Sequence, residues 1–333
     1  MSAGPSIIRK PGAATRSNLE LVNSLRENFA EAQRDYATLA PVTNGFVKGP
    51  GTANAIDVWT EREDRTLYIP RINWHAAGLH EEPSQYEITL KLFFLPGCPV
   101  SEREQYASEA LELVQKELGI QTVDLLVVSF PGMSFEGNCE WEADKANAQQ
   151  GNLEEQIVTW HAVESLHKQG LVKRLGVAEF GSAKLGAFIK RTTVPPVIDQ
   201  INLRNCCDVP PPLKKLAEEQ GIELHVHSDC TDILPRGTFR ELLGHGPQGA
   251  GVLADAAHKG CGLPGEIYPQ WVVLSSYSRD IDEDTGSGGG KWEERYPGEH
   301  LGCSMTMVLE TFVHLFSNSE HQTHGVLDSM AGN

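Results

Sequence analysis

The chain has 333 residues, with 28 Lys and Arg against 45 Asp and Glu, a formal net charge of −17. No segment is net basic: the balance is −1 over residues 1–85, −9 over 86–235, zero over 236–270 and −7 over 271–333. This distribution excludes a surface built to neutralise nucleic-acid phosphates or to rest on anionic lipid.

Hydrophobic residues make up 40% of the chain, enough for a sizeable core. No apolar run approaches the roughly 20 residues of a membrane span. The opening MSAGPSIIRKPGAATRS lacks the apolar region of a secretory signal. Seven cysteines, an odd number without framework spacing, fit free thiols in a reducing compartment. The expectation is a cytoplasmic protein with no membrane or nucleic-acid partner.

Residues 1–85 read as an extension with one amphipathic helix. Leu19, Val22, Leu25, Arg26 and Phe29 recur at helical spacing behind Ser17, a suitable N-cap. Pro41, Gly45, Gly49, Pro50 and Gly51 then read as loop, and Glu61–Arg65 as a solvated ionic face. From Tyr86 the pattern sharpens into strands alternating with helices. The strands are Ile88–Phe94, Val123–Phe130, Arg174–Phe180, Val197–Leu203 and Ile222–Ser228. The first intervening helix opens at Ser101 with Glu104 three residues on, a capping-box spacing, and stops at Gly119. The next carries Leu153, Ile157, Trp160 and Val163 and ends near Gly170; shorter ones follow at Ser182–Lys190 and Pro211–Gln220.

Strands this apolar, each separated by a helix, predict a parallel sheet covered on both faces. An open doubly wound sheet and a (β/α)₈ barrel both satisfy the pattern. The missing G-x-G-x-x-G weakens the dinucleotide-binding form of the former. Beyond residue 236 the signal fades. Trp271–Tyr277 reads as one more strand, 279–290 as an acidic Gly/Ser-rich linker, and Ser304–Phe316 as helix-like. The domain expectation is an extension at 1–85, a barrel-like body at 86–278, and a linker with tail at 279–333.

Few residues declare chemistry. Cys206 and Cys207 follow a strand end, where adjacent thiols serve redox chemistry or simply pack. His225, His227 and Asp229 alternate along one strand, but two imidazoles on one strand are too few ligands for a metal. Lys91 lies inside an apolar strand, as an edge lysine or as a buried amine. No P-loop, G-x-S-x-G or H-E-x-x-H is present.

Val123-Asp124-Leu125-Leu126, the helix end Gly170-Leu171-Val172-Lys173 and Leu175-Gly176-Val177 resemble the aldo-keto reductase pattern, as do Val197–Leu203 and Gly221–Ser228. That resemblance implies a (β/α)₈ TIM barrel using NADPH without a Rossmann motif. A non-catalytic branch of the superfamily is more similar still: the regulatory (modifier, or light) subunits of glutamate–cysteine ligase. Gln200-Ile201-Asn202-Leu203 followed by Cys206-Cys207, Pro210-Pro211 and Leu213 carries this resemblance. So do Gly221–Leu224 leading to His227-Ser228-Asp229, Lys91-Leu92-Phe93 and the Ser129-Phe130-Pro131 turn, within residues 86–240.

The resemblance implies that Lys91 is a relict of the reductase catalytic lysine and that Gln200 retains a cofactor-contacting position. Other reductase positions are lost. Ser129 replaces the histidine of a His-Trp-Pro turn, and no Asp-x-x-x-x-Tyr segment occurs in Ile56–Trp74. Ala178-Glu179 replaces the Ser-Asn that grips the nicotinamide carboxamide, and His227 stands where an aromatic residue stacks on it. The basic segment for the 2′-phosphate is absent, Arg279 being followed by Asp280, Asp282, Glu283 and Asp284. After Trp271-Val272-Val273 the chain departs from the family, so the last barrel strand is expected to be incomplete or irregular.

The resemblance therefore implies no catalytic residues, no metal, no NADP(H) cofactor and one partner, the catalytic (heavy) subunit of glutamate–cysteine ligase. Cys206 and Cys207 become candidates for a reversible intersubunit disulfide. Lys91 and Gln200 sustain the alternative of a divergent NADP(H)-dependent reductase or an NADPH-binding scaffold.

Overall fold

The computed structural model describes residues 1, 17–37, 55–63, 66–73, 77–79, 82–203, 208–227, 233–246, 249–253, 267–278 and 310–317. Helix α1 (Ser17–Ala37) buries Leu21, Val22, Leu25, Phe29 and Ala32, a stripe at helical spacing. Leu19, expected on that stripe, is 49% exposed. It lies two residues, about 200° of rotation, before the buried Leu21, so it points away from the apolar face. A short helix α2 (Ala55–Trp59) leads into a hairpin of β1 (Glu61–Glu63) and β2 (Thr66–Tyr68). Trp59 packs on Phe29 with ring centroids 5.8 Å apart.

The body follows in strand–helix order. It runs β3 (Glu87–Phe94), α3 (Arg103–Leu118), β4 (Val123–Ser129), α4 (Glu140–Asn147), α5 (Leu153–Lys168), β5 (Val172–Ala178) and α6 (Ser182–Ile189). It continues with β6 (Ile198–Asn202), α7 (Pro211–Gln220), β7 (Glu223–His227), α8 (Arg236–Leu243), β8 (Ile267–Ser278) and β9 (Glu310–Ser317). The five parallel strands predicted from apolar runs all occur, each bounded within a few residues of its expected ends. They lie side by side in the order β7-β6-β5-β4-β3. This is the (β/α) succession of an α/β fold with a parallel central sheet.

The irregularity expected at the last strand takes a definite form. Strand β8 pairs antiparallel with β3, from Glu87 opposite Ser278 to Phe94 opposite Trp271. Strand β9 then pairs antiparallel with β8. Among the described residues the sheet thus runs from β7 to β9 without closing. The helix-like reading of Ser304–Phe316 is overturned from Glu310 on, since Glu310–Ser317 is extended; residues 304–309 lie outside the described residues. Thr311–Phe316 is a short β-branched and aromatic run that periodicity cannot tell from a helix; the free edge of β8 decides it.

Both faces of the sheet are covered. Leu90, Leu92 and Phe94 of β3 join the main core with Ala107 and Val114 of α3 and Trp160 of α5. Phe93, on the opposite face, joins a second core with Leu21 and Leu25 of α1 and Phe239 and Leu242 of α8. In a closed barrel that second face would point inward; at β3 and β8 it is capped by helices instead.

Two helix ends show how local signals fared. Gly119 ends α3 with φ +68° and its N–H donates to the Gln115 carbonyl, as a left-handed cap requires. Gly119→Ala is expected to lower stability by about 1–2 kcal/mol, read as a shift in urea midpoint at constant slope. The predicted capping box is not formed. Ser101 lies inside a 3₁₀ turn (Val100–Glu102), and the N-cap Glu102 makes no side-chain cap bond. The turn carries Arg103 inward, where its guanidinium donates to Thr159 Oγ1 at 3.1 Å and to the Cys98 carbonyl and Glu155 at 3.3 Å.

Candidate functional site

The carboxyl ends of parallel strands are where α/β proteins build sites. Here β5, β6 and β7 deliver Glu179, Asp199, Gln200, Asn202 and His227 to one neighbourhood. Glu179 follows β5 with φ +66°, in the left-handed region that a side chain adopts at a cost of about 1–3 kcal/mol. Its backbone is held on both sides: the N–H donates to the Gln200 carbonyl at 2.9 Å, and its carbonyl accepts from Asn147 Nδ2 at 2.7 Å. That conformation turns the side chain inward. Glu179 Oε1 lies 2.7 Å from His227 Nε2, and Oε2 accepts from the Asn202 N–H at 3.4 Å. The two side chains are only 7% and 4% exposed, so carboxylate and imidazole satisfy one another away from water.

Asp199 sits beside them, fully buried. Its Oδ1 accepts from the Phe180 N–H at 3.4 Å, and Oδ2 has no hydrogen-bond partner among the described residues. Burial pushes this carboxyl well above the usual range; the Phe180 bond opposes the shift and the Glu179 charge adds to it. The folded state therefore holds a proton that the unfolded chain releases. Stability from this group is fully present below the unfolded carboxylate value, about 4. It falls as pH rises from there through the raised folded value. Asp199→Asn is expected to be more stable than the parent at pH 8 and to flatten the profile between pH 5 and 8, measured by thermal denaturation. An unchanged slope would mean that Asp199 is ionised in the fold.

Helix α4 braces the site. Asn147, fully buried, donates to the Ser134 carbonyl at 2.8 Å as well as to Glu179, and accepts from the Gly181 N–H at 2.6 Å. Asp144 accepts from the Ser182 N–H and hydroxyl, each at 2.6 Å, at the start of α6. Sequence reasoning missed both, because α4 carries almost no apolar periodicity. A buried asparagine in a polar helix leaves no signal in hydrophobic patterning.

Lys91 is 9% exposed on β3, opposite Val127 of β4, with Nζ 5.0 Å from the Phe93 ring centroid. It sits on the face covered by α1 and α8, and its ammonium rests on an aromatic ring. Gln200 pairs in register with Ala178 and His225, and its carboxamide oxygen is buried without a hydrogen-bond partner among the described residues. Of the set expected on one face, His225 and His227 alternate along β7 but meet different surroundings. His225 is exposed against Glu223 at 3.2 Å, His227 is buried on Glu179, and Asp229 lies outside the described residues. Cys206, Cys207 and Arg279–Asp284 also lie outside them. Cys98 is buried and its thiol pushed up to about 11 by burial, which makes it inert at neutral pH. Among the described residues no group of three or more metal-ligating side chains exists.

Comparison with known proteins finds similarity to one family and to several of its relatives. Residues 73–231 match the model of the aldo/keto reductase family. A putative glutamate–cysteine ligase regulatory subunit of Schizosaccharomyces pombe is 28% identical over 78% of this chain and 81% of its own. The glutamate–cysteine ligase regulatory subunit of Homo sapiens is 23% identical over 49% of this chain and 54% of its own, so the match spans about half of that relative. A solved Bombyx mori aldo-keto reductase in complex with NADP is 22% identical, with a TM-score of 0.30 over 41% of this chain and 40% of that one.

Proposed function

We propose that this chain is a non-catalytic regulatory subunit of glutamate–cysteine ligase. In this reading it binds the catalytic subunit and raises its efficiency in the first step of glutathione synthesis. The observation that carries it is the similarity, over most of both chains, to the regulatory subunit of S. pombe. The Glu179–His227 pair supports it. Those residues stand at positions where the reductase resemblance calls for a carboxamide grip and a stacking ring, and each is engaged with the other. A regulatory subunit needs only a higher affinity for the partner's more active state.

The test is co-expression with the ligase catalytic subunit, followed by co-purification and kinetics. The expected result is a complex with a lower Michaelis constant for glutamate and weaker inhibition by glutathione. Unchanged kinetics in a saturated mixture would sink the reading.

NADP(H) is not part of this proposal. A carboxylate tied to an imidazole offers the nicotinamide no free donor or ring, so titration with NADPH to millimolar concentration is expected to leave tryptophan fluorescence unquenched. Gln200 and Lys91 favour the second reading, an NADPH-binding scaffold or divergent reductase, and saturable quenching would select it. The reading also takes residues 86–278 as the barrel-like body and the cytoplasm as the location. Cys206 and Cys207 are proposed to form a reversible intersubunit disulfide. Under oxidation a covalent heterodimer should appear on a non-reducing gel and vanish when both become Ser.

A further inference from the structure

Trp141, on α4, is 54% exposed, the largest exposed apolar side chain among the described residues. An indole turned to water contributes little to the fold, yet α4 is held with unusual firmness. Asn147 ties it to the Ser134 and Glu179 carbonyls and to the Gly181 N–H. Asp144 ties it to the start of α6. Gly137 lies against its second turn so closely that a Cβ there would come within 2.6 Å of the Ala143 nitrogen. Ala143 and Asn147 are buried under the helix, whereas the indole is turned to water. A rigid aromatic side chain on a rigid mount is what a binding hot spot requires, since little freedom remains to be lost on docking.

The surroundings define the occupant by charge. Glu140 and Glu142 adjoin Trp141 in the chain, about 100° to either side on the helix, and exposed Glu136 precedes it; Lys145, one turn on, is the single cation of α4, so the surround is net acidic. Glu142 is steadied by Asn138 Nδ2 at 3.0 Å. An exposed indole in a net acidic surround suits a guanidinium, by cation–π contact with the ring and ion pairing at the rim. It repels acidic surfaces, which disfavours a second copy of a chain whose body carries −9 over residues 86–235.

We propose that the Trp141 face of α4 docks an arginine-bearing surface of the ligase catalytic subunit, an inference that rests on the regulatory-subunit reading. Affinity of full-length chain for the purified catalytic subunit tests it, at about 50 and 300 mM salt to vary screening. Trp141→Ala is expected to raise Kd about tenfold or more, while Trp141→Phe keeps most of the affinity. Glu140→Lys with Glu142→Lys is expected to slow association and to remove most of its salt dependence. Trp141 and Glu142 are exposed and Glu140 is half-buried, so melting temperatures close to that of the parent are expected and exclude misfolding as the cause.

Wild-type Kd and salt slope in every variant would overturn the docking face and leave the regulatory reading intact. Loss of self-association in Trp141→Ala, with ligase binding unaltered, would assign the face to a second copy and overturn it equally. Absence of any binding by the unaltered chain would remove both the regulatory reading and the docking face.

Discussion

Trp160→Ala is expected to cost about 3–5 kcal/mol of stability, close to the whole margin of a weakly stable domain. Trp160 is fully buried on α5, under the central strands. Its ring meets Phe188 of α6 edge-on, with centroids 5.2 Å apart at 74°, and Phe188 in turn packs on Phe130 and Phe180. The indole N–H donates to the Val194 carbonyl at 2.9 Å, tying α5 to the turn that enters β6. Truncation therefore opens a cavity and orphans a carbonyl together. Trp160→Phe separates the two effects: it keeps most of the ring volume and loses the hydrogen bond, for about 1–2 kcal/mol. Equilibrium urea unfolding of both variants is the measurement. A loss below about 1 kcal/mol for the alanine variant would contradict the packing of α5 and α6 on the sheet.

The second large effect concerns Glu179. Glu179→Ala is expected to destabilise by about 3 kcal/mol, because it removes the acceptor that two buried donors share. His227 Nε2 and the Asn202 N–H both lose the carboxylate that they contact. The backbone strain is not relieved, since alanine is no more at ease than glutamate at φ +66°. Glu179→Gln retains an acceptor of the same shape and should cost about 1 kcal/mol. A double-mutant cycle with His227→Ala isolates the pair; strict additivity would mean that the two side chains do not interact.

These predictions draw unequally on what the chain announces in one dimension. Strands β3 to β7 were legible because each is a short apolar run between helices with a 3.6-residue stripe. Gly119 and Gly221 mark helix ends, both with positive φ. Glu179 and His227 were each visible as departures from a reductase pattern. Their contact was not, because they lie 48 residues apart on strands separated by β6, and the turn that joins them through space is a left-handed glutamate. Helix α4 was invisible for a different reason. It is held by Asn147 and Asp144 rather than by apolar periodicity, and hydrogen bonds to distant backbone leave no local signature.

The sequence by itself determined the α/β succession, the acidic net charge and where the chain departs from a reductase-like pattern. Those properties depend on composition and on spacing along the chain. Only the tertiary structure decided that β8 runs back against β3, that α1 and α8 cover the face a barrel would turn inward, and that Glu179 and His227 close upon each other. Sheet direction depends on which edge a strand finds, and a buried carboxylate–imidazole contact depends on which ends the fold brings together. Neither is encoded in the period of a single segment.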